Sequence, residues 1–253
     1  MNLKDKIVVL TGSEGLIGNS IKKYLLKNKT KLVCLDIKKN LVKKNFDYFS
    51  CNLLNEEEII KIKNKIIKKY RKIDSLINLA CINDPVENPK KIVSFEDLDS
   101  KIFKDRVDKN LMMTFLPCKV FGSQMQKNRK GSIINFASTY GIVAPDQNIY
   151  KIKGKKFFVK DAAYPTAKSA IIGLSKYLAS YWSGRKVRVN VVAPGGVENN
   201  QNKQFIKNYI DKTLSKRMAK TNDFNGTVHL LVSDQSDYIT GAIFSVDGGW
   251  TTI

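Results

Sequence analysis

Short apolar runs alternate with amphipathic stretches along most of the chain, and this pattern predicts alternating strands and helices. The runs Lys6–Thr11, Lys31–Asp36 and Ile73–Ala80 have the length and continuous hydrophobicity of strands buried on both faces of a parallel sheet. Between them, apolar residues recur three or four positions apart, as in the helix predicted over Glu56–Tyr70. We therefore predict an α/β fold built on a doubly wound parallel sheet.

The same alternation continues to the end of the chain. It predicts further strands over Phe46–Asn52, Gly131–Ser138, Val187–Ala193 and Ile239–Asp247, a helical region over 96–128 and a loop over 83–95. Residues 197–222 are polar, hold one amphipathic helix around Phe205–Leu214 and are predicted to form a mobile lid. Because there is no repeat and no internal linker, we expect a single Rossmann-type domain over 1–253, with about seven strands and helices on both faces.

A glycine-rich turn joins the first predicted strand to the first predicted helix. Small residues at such a turn let the backbone approach a pyrophosphate, whose charge then lies at the helix N-terminus. The turn therefore predicts a dinucleotide site. Its candidate cofactor-binding residues are Gly12, Ser13, Glu14, Gly15, Leu16, Ile17 and Gly18.

Asp36 ends the second predicted strand, 18 residues beyond Gly18. At this position an acidic side chain accepts hydrogen bonds from an adenine-ribose diol and repels a 2′-phosphate, so the sequence favours NAD over NADP. Lys38 and Lys39 follow directly and act against that preference. The alternative is that Asp36 is a solvated strand-end residue.

Tyr164 and Lys168 are four residues apart, so on a helix they lie on one face, one turn from each other. A free tyrosine has a pKa of about 10, and a nearby cation lowers it toward the range of a useful acid or base. Lys168 together with a bound cationic nicotinamide would supply that stabilisation. Ser138 ends the preceding strand, where its hydroxyl can hold a substrate oxygen. The alternative is a chance Tyr-x-x-x-Lys pair on an ordinary helix.

The net charge of +21 raises the possibility of nucleic-acid binding. The basic residues are almost all lysine and are spread along the chain, whereas arginine is the usual residue for reading phosphates and guanines. We therefore predict no nucleic-acid partner and favour a small anionic substrate. The apolar runs are too short for a membrane span, and the N-terminus runs straight into a strand without a signal peptide. With four cysteines in no C-x-x-C pair and one histidine, we expect a cytoplasmic protein without a metal.

Taken together, these signatures resemble those of the short-chain dehydrogenase/reductase superfamily over essentially the full length. The resemblance implies that Tyr164 is the general acid/base, that Ser138 polarises the substrate oxygen, that Lys168 lowers the tyrosine pKa and binds the nicotinamide ribose, and that Asn110 holds a water in a proton relay. It also extends the set of expected cofactor contacts to Asn52, Leu53, Asn78, Ala80, Tyr164, Lys168, Pro194, Gly195 and Val197. Family members are commonly tetramers built partly on the helix that carries the tyrosine, so a homo-oligomer, tetramer or dimer, is expected.

The chain departs from the family pattern in several places. Cys81 replaces a glycine after Asn78-x-Ala80, Asn199 replaces a threonine, and Asn52 replaces an acidic residue. The largest departure is an insert near 146–161, which makes the separation of Ser138 and Tyr164 about twice the usual one. We expect the insert to lie beside the catalytic groups and hypothesise that it helps to bind an anionic substrate. The alternative is a solvated loop. The candidate substrate contacts are Ser138, Tyr140, Tyr150, Lys153 and Lys155.

The second half of the chain resembles more narrowly the flagellin-modification protein A type of bacterial oxidoreductase. That resemblance implies an NAD-dependent interconversion of a secondary alcohol and a ketone on a sugar or sugar derivative in surface-glycan or flagellin modification. Two alternatives stay open: a 3-oxoacyl carrier-protein reductase, for which the basic charge would suit an acidic carrier protein, and a non-catalytic NAD-binding sensor or scaffold.

Overall fold

The computed structural model of the chain describes residues 2–38, 45–83, 86 and 93–252. Its strands are β1 (Ile7–Thr11), β2 (Lys31–Asp36), β3 (Asp47–Ser50), β4 (Ser75–Asn78), β5 (Gly131–Phe136), β6 (Lys151–Ile152), β7 (Lys155–Lys156), β8 (Val187–Pro194) and β9 (Ile243–Val246). Its α-helices are α1 (Leu16–Lys27), α2 (Glu56–Tyr70), α3 (Ser100–Asn128), α4 (Ala163–Tyr181), α5 (Lys203–Ile210) and α6 (Asn225–Val232).

Seven strands form one parallel sheet in the order β3-β2-β1-β4-β5-β8-β9, and β6 and β7 form a separate antiparallel hairpin. The predicted doubly wound α/β fold is confirmed. The chain leaves β1 toward β2 on one side and returns to β4 on the other, so the strand order reverses between β1 and β4. A crevice for a ligand opens at such a reversal, at the carboxyl ends of the strands.

Both faces of the sheet are covered because successive side chains of a strand point to opposite sides. Val9 of β1 and Leu76 of β4 pack in a core with α2, α3 and α4. Their neighbours Leu10 and Ile77 pack on the opposite face with α1 and α6. This double burial explains why the strands read as continuous apolar runs instead of alternating ones.

Helix α2 shows how local sequence sets an element boundary. The Asn55 side chain caps its start by accepting a hydrogen bond from the Glu58 N–H at 3.2 Å, and acidic residues fill the first turn. Lysines occupy the last turn, and Arg71 ends the helix with a left-handed φ of 66°. The predicted bounds of this helix are correct because residues at both of its ends stop the helix from extending further.

Several predicted boundaries were wrong by a few residues. β3, β4 and β9 are shorter than predicted, because a strand lasts only as long as its neighbour pairs with it. Helix α5 ends before Leu214, and α6 was not predicted at all. Of the predicted loop over 83–95, residues 84–85 and 87–92 lie outside the described residues, as does Lys39. In the described part of the chain, no helix combines the length and apolar character needed to cross a membrane.

Candidate active site

One cavity of about 680 Å³ lies at the carboxyl ends of the strands. We refer to its two ends by the residues that mark them. The glycine-turn end is lined by Gly12, Glu14, Gly15 and Asp36, and the tyrosine end by Ser138, Tyr164 and Lys168. A single cavity therefore joins the predicted dinucleotide site to the predicted catalytic side chains.

The glycine turn brings backbone close to backbone. Gly12 has a φ of +65°, and a Cβ at this position would lie 2.8 Å from the Ala80 backbone. A Cβ on Gly18 would lie 2.1 Å from the Gly12 carbonyl oxygen. Gly15 begins α1 without any side-chain cap, so the N–H groups of the first turn remain available to a ligand on the cavity side. The turn has the geometry of a cradle for an anionic group such as a pyrophosphate.

Carboxylates dominate the glycine-turn end. Asp36 is buried, and its two oxygens accept hydrogen bonds from the Glu14 N–H at 2.9 Å and the Lys38 N–H at 3.2 Å. The Glu14 carboxylate is paired with Lys22 at 2.5 Å, and both side chains are about nine-tenths buried. Burial, followed by the charges of Asp36 and Glu14, raises the pKa of the neighbouring Tyr48 hydroxyl to about 12. The carboxylates of Asp36 and Glu14 therefore share this end of the cavity with the ammonium groups of Lys22 and Lys38.

The tyrosine end brings Ser138, Tyr164 and Lys168 together from two elements. Ser138 follows β5, and its Oγ accepts a hydrogen bond from the Tyr140 N–H at 3.1 Å, while its hydroxyl acts to lower the pKa of the nearby Tyr164. Lys168 is buried on α4, with its ammonium donating to the Phe136 carbonyl oxygen at 3.1 Å and lying 5.7 Å from the centre of the Tyr164 ring. A substrate oxygen at this end would meet both hydroxyls.

The protein's own groups raise the pKa of Tyr164 above its ordinary value, and the sequence argument expects Lys168 and a bound cationic nicotinamide together to lower it. Burial is the largest cause, and the hydrogen bond with Ser138 acts in the opposite direction. Desolvation disfavours the phenolate more strongly here than its surroundings favour it. A further positive charge, such as that of an oxidised nicotinamide ring, is needed to bring the tyrosine into a useful range.

The Asn110 side chain joins α3 to the segment that follows β4. Its Oδ1 accepts a hydrogen bond from the Ile82 N–H at 2.8 Å, and its Nδ2 donates to the Arg106 carbonyl oxygen at 3.0 Å. It lines a small hollow next to Tyr164 and Lys160 instead of the main cavity. In this arrangement the amide itself shapes the backbone, and the water-holding role stays a prediction.

A chain of buried polar side chains connects the sheet to the catalytic helix. Asn78 Nδ2 donates to Asn135 Oδ1 at 2.8 Å, Asn135 Nδ2 donates to Ser175 Oγ at 2.9 Å, and Ser175 Oγ donates to the Ile171 carbonyl oxygen at 2.7 Å. Asn78 is not among the residues that line the cavity, and its contact with the cofactor stays a prediction. Asn78 is the last residue of β4, and its amide is held in the interior by Asn135, whereas Leu79 and Ala80 follow the end of the strand and line the cavity.

The insert and the predicted lid form one wall of the tyrosine end. Tyr150 is buried and stacks on Phe205 of α5 with ring centres 5.5 Å apart, and its hydroxyl lies 3.0 Å from that of Tyr140. Asn208 of α5 donates to the carbonyl oxygens of Ile149 and Lys151 at 3.1 and 3.0 Å. The two segments are therefore hydrogen-bonded to each other.

The structure separates the predicted site residues into three groups. The cavity is lined by Gly12, Glu14, Gly15, Leu16, Ile17, Asp36, Asn52, Leu53, Ala80, Ser138, Tyr140, Tyr150, Tyr164, Lys168, Pro194, Gly195 and Val197. Behind it lie Ser13, Gly18, Asn78 and Asn110. Lys153 and Lys155 lie apart, exposed on the β6–β7 hairpin and absent from the cavity lining.

Sequence reasoning missed residues that line the tyrosine end. Lys160 belongs to the insert, but the sequence does not predict its place in the cavity. Phe205, Tyr209 and Met218 lie in the predicted lid and also line the cavity. A signal for Lys160 existed, since it is the insert lysine nearest to Tyr164 along the chain. The aromatic spacing of Phe205 and Tyr209 also indicated one apolar helix face.

The fold and the site define a dinucleotide-binding oxidoreductase domain. A model of the Enoyl-(Acyl carrier protein) reductase family matches residues 16–251. A crystal structure of a short-chain dehydrogenase from Leptospira borgpetersenii with bound NAD+ is 33% identical, with a TM-score of 0.87 over 99% of this chain and 94% of that one. The chain belongs to the short-chain dehydrogenase/reductase superfamily, and it is an oxidoreductase that acts on CH–OH groups.

Curated relatives carry different activities. Post-translational flagellin modification protein A of Campylobacter coli is 27% identical over 98% of this chain and 99% of its own length. A 3-oxoacyl-(acyl-carrier-protein) reductase of Thermotoga maritima is 28% identical over 98% and 99% of the two lengths. The chain is similar to both to nearly the same degree, so similarity alone does not choose between their substrates.

Proposed function

We propose that the protein is an NAD-dependent oxidoreductase that interconverts a secondary alcohol and a ketone on a sugar derivative. The observation that carries this proposal is the shared cavity, which joins a backbone cradle at Gly12 to the Ser138 and Tyr164 hydroxyls. When bound, the nicotinamide cofactor supplies or accepts the hydride. Ser138 then holds the substrate oxygen, and Tyr164 gives a proton to that oxygen during reduction or takes one during oxidation.

The glycine-turn end supports NAD over NADP. Asp36 is held by two backbone N–H groups, so its carboxylate is fixed where the ribose hydroxyls of an adenosine would bind. The Lys38 ammonium, which could otherwise attract a 2′-phosphate, contacts the Glu14 carbonyl oxygen at 3.4 Å. The relative from Leptospira borgpetersenii was crystallised with NAD+, which agrees with this choice.

Two features support a sugar derivative as the substrate. The hydroxyls of Tyr140 and Tyr150 stand on the aromatic wall of the tyrosine end, and aromatic faces combined with hydroxyl groups suit the alternating apolar and polar surfaces of a sugar ring. The relative from Campylobacter coli is a flagellin modification protein. We accordingly assign the enzyme to bacterial surface-glycan or flagellin modification in the cytoplasm, where its four free cysteines would stay reduced.

A homo-oligomer built on α4 is part of this proposal. Ile171 and Leu178 of α4 are buried in the protein's own core, but Tyr177 and Tyr181 are 61% and 66% exposed and stack on each other with ring centres 5.6 Å apart. A pair of exposed stacked aromatics is typical of an interface. Light scattering on wild type and Tyr181→Glu tests it, since a dimer or tetramer should dissociate in the variant and a monomer should not respond.

A second candidate is a 3-oxoacyl carrier-protein reductase. The net charge of +21 would favour an acidic carrier protein, and the Thermotoga maritima relative carries that activity. A reductase of this kind should turn over 3-oxoacyl groups on the carrier protein, with a strong dependence on salt. Activity on sugars with weak salt dependence would favour the first proposal.

The deciding experiment is a titration of NADH and NADPH, alone and with a panel of phosphorylated and nucleotide-linked sugars. NADH bound at least tenfold more tightly than NADPH, with further tightening by one sugar, is the expected result. Preference for NADPH would contradict the role given to Asp36 and favour the carrier-protein reductase, and binding of neither would contradict the oxidoreductase assignment. Loss of turnover in Tyr164→Phe with retained NADH binding would exclude a non-catalytic sensor.

A further inference from the structure

The cation nearest the Tyr164 ring is not that of Lys168. The Lys160 ammonium lies 3.9 Å from the centre of the ring, against 5.7 Å for Lys168. Lys160 is only 7% exposed, and it lines the main cavity at the tyrosine end. A lysine contributed by the insert is therefore part of the wall beside the reacting hydroxyl.

The backbone of Lys160 is held on both sides by one side chain. Gln147 accepts a hydrogen bond from the Lys160 N–H at 3.1 Å and donates one to the Lys160 carbonyl oxygen at 2.8 Å. The ammonium donates to Asn83 Oδ1, in the segment that follows β4. The insert thus closes on itself through Gln147 and fixes where this lysine enters the cavity.

The next residue ties the lysine to the catalytic helix. Asp161 accepts hydrogen bonds from the N–H groups of Ala163 and Tyr164 at 2.9 and 3.2 Å, and it also pairs with Arg106 of α3. Because these contacts cap the start of α4, Lys160 and Tyr164 keep a constant relative position. Such pre-organisation is what a binding residue requires.

The distribution of charge along the cavity favours an anion at the tyrosine end. Among the described residues of the lining, the glycine-turn end holds the carboxylates Glu14 and Asp36 together with the cation Lys38, whereas the tyrosine end holds the cations Lys160 and Lys168 and no carboxylate. The rest of the tyrosine end is mainly aromatic and aliphatic, including Tyr150, Phe205 and Met218. In such apolar surroundings charges interact more strongly than they do in water.

We propose that Lys160 binds an anionic group of the substrate, a carboxylate or a phosphate, close to the carbon that is oxidised or reduced. This inference rests on the proposed function. A ketone that reaches the Ser138 and Tyr164 hydroxyls enters the same end of the cavity as the Lys160 ammonium, which lies 3.9 Å from the centre of the Tyr164 ring. Lys160 is then a specificity-determining residue, and the insert supplies it without contributing the exposed Lys153 or Lys155.

Matched pairs of small ketones test this role. Dihydroxyacetone phosphate is compared with dihydroxyacetone, and 3-oxobutanoate with its methyl ester, using wild type, Lys160→Met and Lys160→Arg. In Lys160→Met we expect kcat/KM to fall about tenfold or more for each anionic member and less than about threefold for its neutral partner. The first pair reports on a phosphate and the second on a carboxylate. Lys160→Arg should retain most of the preference for anions.

The controls separate this inference from folding and from the proposed function. Lys153→Met removes an equally charged but exposed lysine of the same insert and should change none of these ratios. NADH titration and thermal unfolding of Lys160→Met establish that the cofactor site and the fold are intact. Calorimetric titration of dihydroxyacetone phosphate into the NADH-loaded enzyme gives a readout that is independent of turnover.

Three results would overturn the inference. Equal losses on both members of each pair would mean that Lys160 acts through Tyr164 and not on the substrate. An unchanged Kd for dihydroxyacetone phosphate together with an unchanged kcat/KM for 3-oxobutanoate in Lys160→Met would exclude the anion site, as would a wild-type enzyme that binds neither anionic probe. A wild-type enzyme that binds NADH and reduces neutral ketones would still satisfy the proposed function, so the two failures are distinguishable.

Discussion

The Lys168 ammonium donates a hydrogen bond to the Phe136 carbonyl oxygen at 3.1 Å, and this contact joins the catalytic helix to the end of β5. Ser138 follows two residues later on the same segment. The lysine on α4 and the serine after β5 are therefore positioned by one local connection, and Tyr164 lies between them. Changes that disturb this contact should alter the geometry of both candidate catalytic groups together.

We predict a rising pH profile for alcohol oxidation. Burial raises the pKa of Tyr164, so the phenolate that accepts the proton becomes more abundant as pH increases. Reduction uses the neutral hydroxyl beside an uncharged dihydronicotinamide, so it should fall only at a higher pH than the range in which oxidation rises. Tyr164→Phe should lower kcat about a hundred- to ten-thousand-fold and abolish the dependence. Measuring kcat against pH in both directions checks this, and a profile that survives in Tyr164→Phe would contradict it.

Stability should decline at alkaline pH because buried tyrosines resist ionisation. Burial raises the pKa of Tyr140 to about 12, and it raises those of Tyr150, Tyr164 and Tyr209 as well. Above pH about 10, tyrosines of the unfolded chain lose their protons while these four keep theirs, so the free energy of unfolding falls as pH rises. Urea unfolding at a series of pH values gives the slope.

The slope should become shallower in Tyr140→Phe and stay unchanged in Tyr177→Phe, which alters a tyrosine that is 61% exposed. Comparing slopes instead of absolute stabilities removes the general effect of lysine deprotonation, which all three proteins share. Equal slopes in wild type and Tyr140→Phe would show that Tyr140 does not resist ionisation in the folded protein.

Asp36→Asn should shift cofactor choice toward NADPH. The change removes the charge that repels a 2′-phosphate while it keeps an oxygen that can accept the Lys38 or the Glu14 N–H. We expect the ratio of NADPH to NADH affinity to rise about tenfold, which corresponds to about 1.4 kcal/mol. Asp47→Asn, which alters a carboxylate paired with Lys69 outside the cavity lining, is the matched control. An unchanged ratio in Asp36→Asn would remove the argument for NAD.

Two glycine-to-alanine changes should affect different properties of the protein. A Cβ on Gly18 would meet the Gly12 carbonyl oxygen at 2.1 Å, so Gly18→Ala should open the turn and weaken NADH binding at least tenfold. Gly226 lies on α6, and a Cβ added there would meet no atom within 4 Å. Gly226→Ala should therefore leave binding unchanged and stabilise the fold by about 0.5–1 kcal/mol. NADH titration and thermal unfolding of both variants provide the check.

The sequence was sufficient for the sheet and for most helices because strong periodicity and caps mark them. β2 and α2 have the predicted bounds, whereas the ends of β3 and β9 depend on pairing with a neighbouring strand, which a local pattern does not contain. Helix α6 was missed because it is short and follows a polar stretch. Its apolar residues Val228 and Leu231 are explained by their packing against α1, which a local sequence pattern does not contain.

The chemistry of the site was predictable where a motif names the residue, and less so where the fold decides. The cavity does contain Ser138, Tyr164 and Lys168, but it does not contain Lys153. The sequence pattern does not distinguish one lysine of the insert from another. The folded insert exposes Lys153 in the β6–β7 turn and buries Lys160. Similarly, the sequence predicts Asn78 as a cofactor contact, but the direction of its side chain is set by the packing of β4 and is not contained in the sequence pattern.

The hydrogen bonds from Asn78 through Asn135 to Ser175 affect how much the surrounding core can change in sequence during evolution. A hydrophobic core accepts many combinations of aliphatic side chains as long as their total volume is kept. Hydrogen bonds are directional, so the bonds from Asn78 and Asn135 to Ser175 hold α4 in one position against the sheet. That position therefore depends less on which aliphatic residues surround these three side chains. Evolutionary drift of the core, such as the replacement of leucine or valine by isoleucine, can therefore proceed while Tyr164 stays in place.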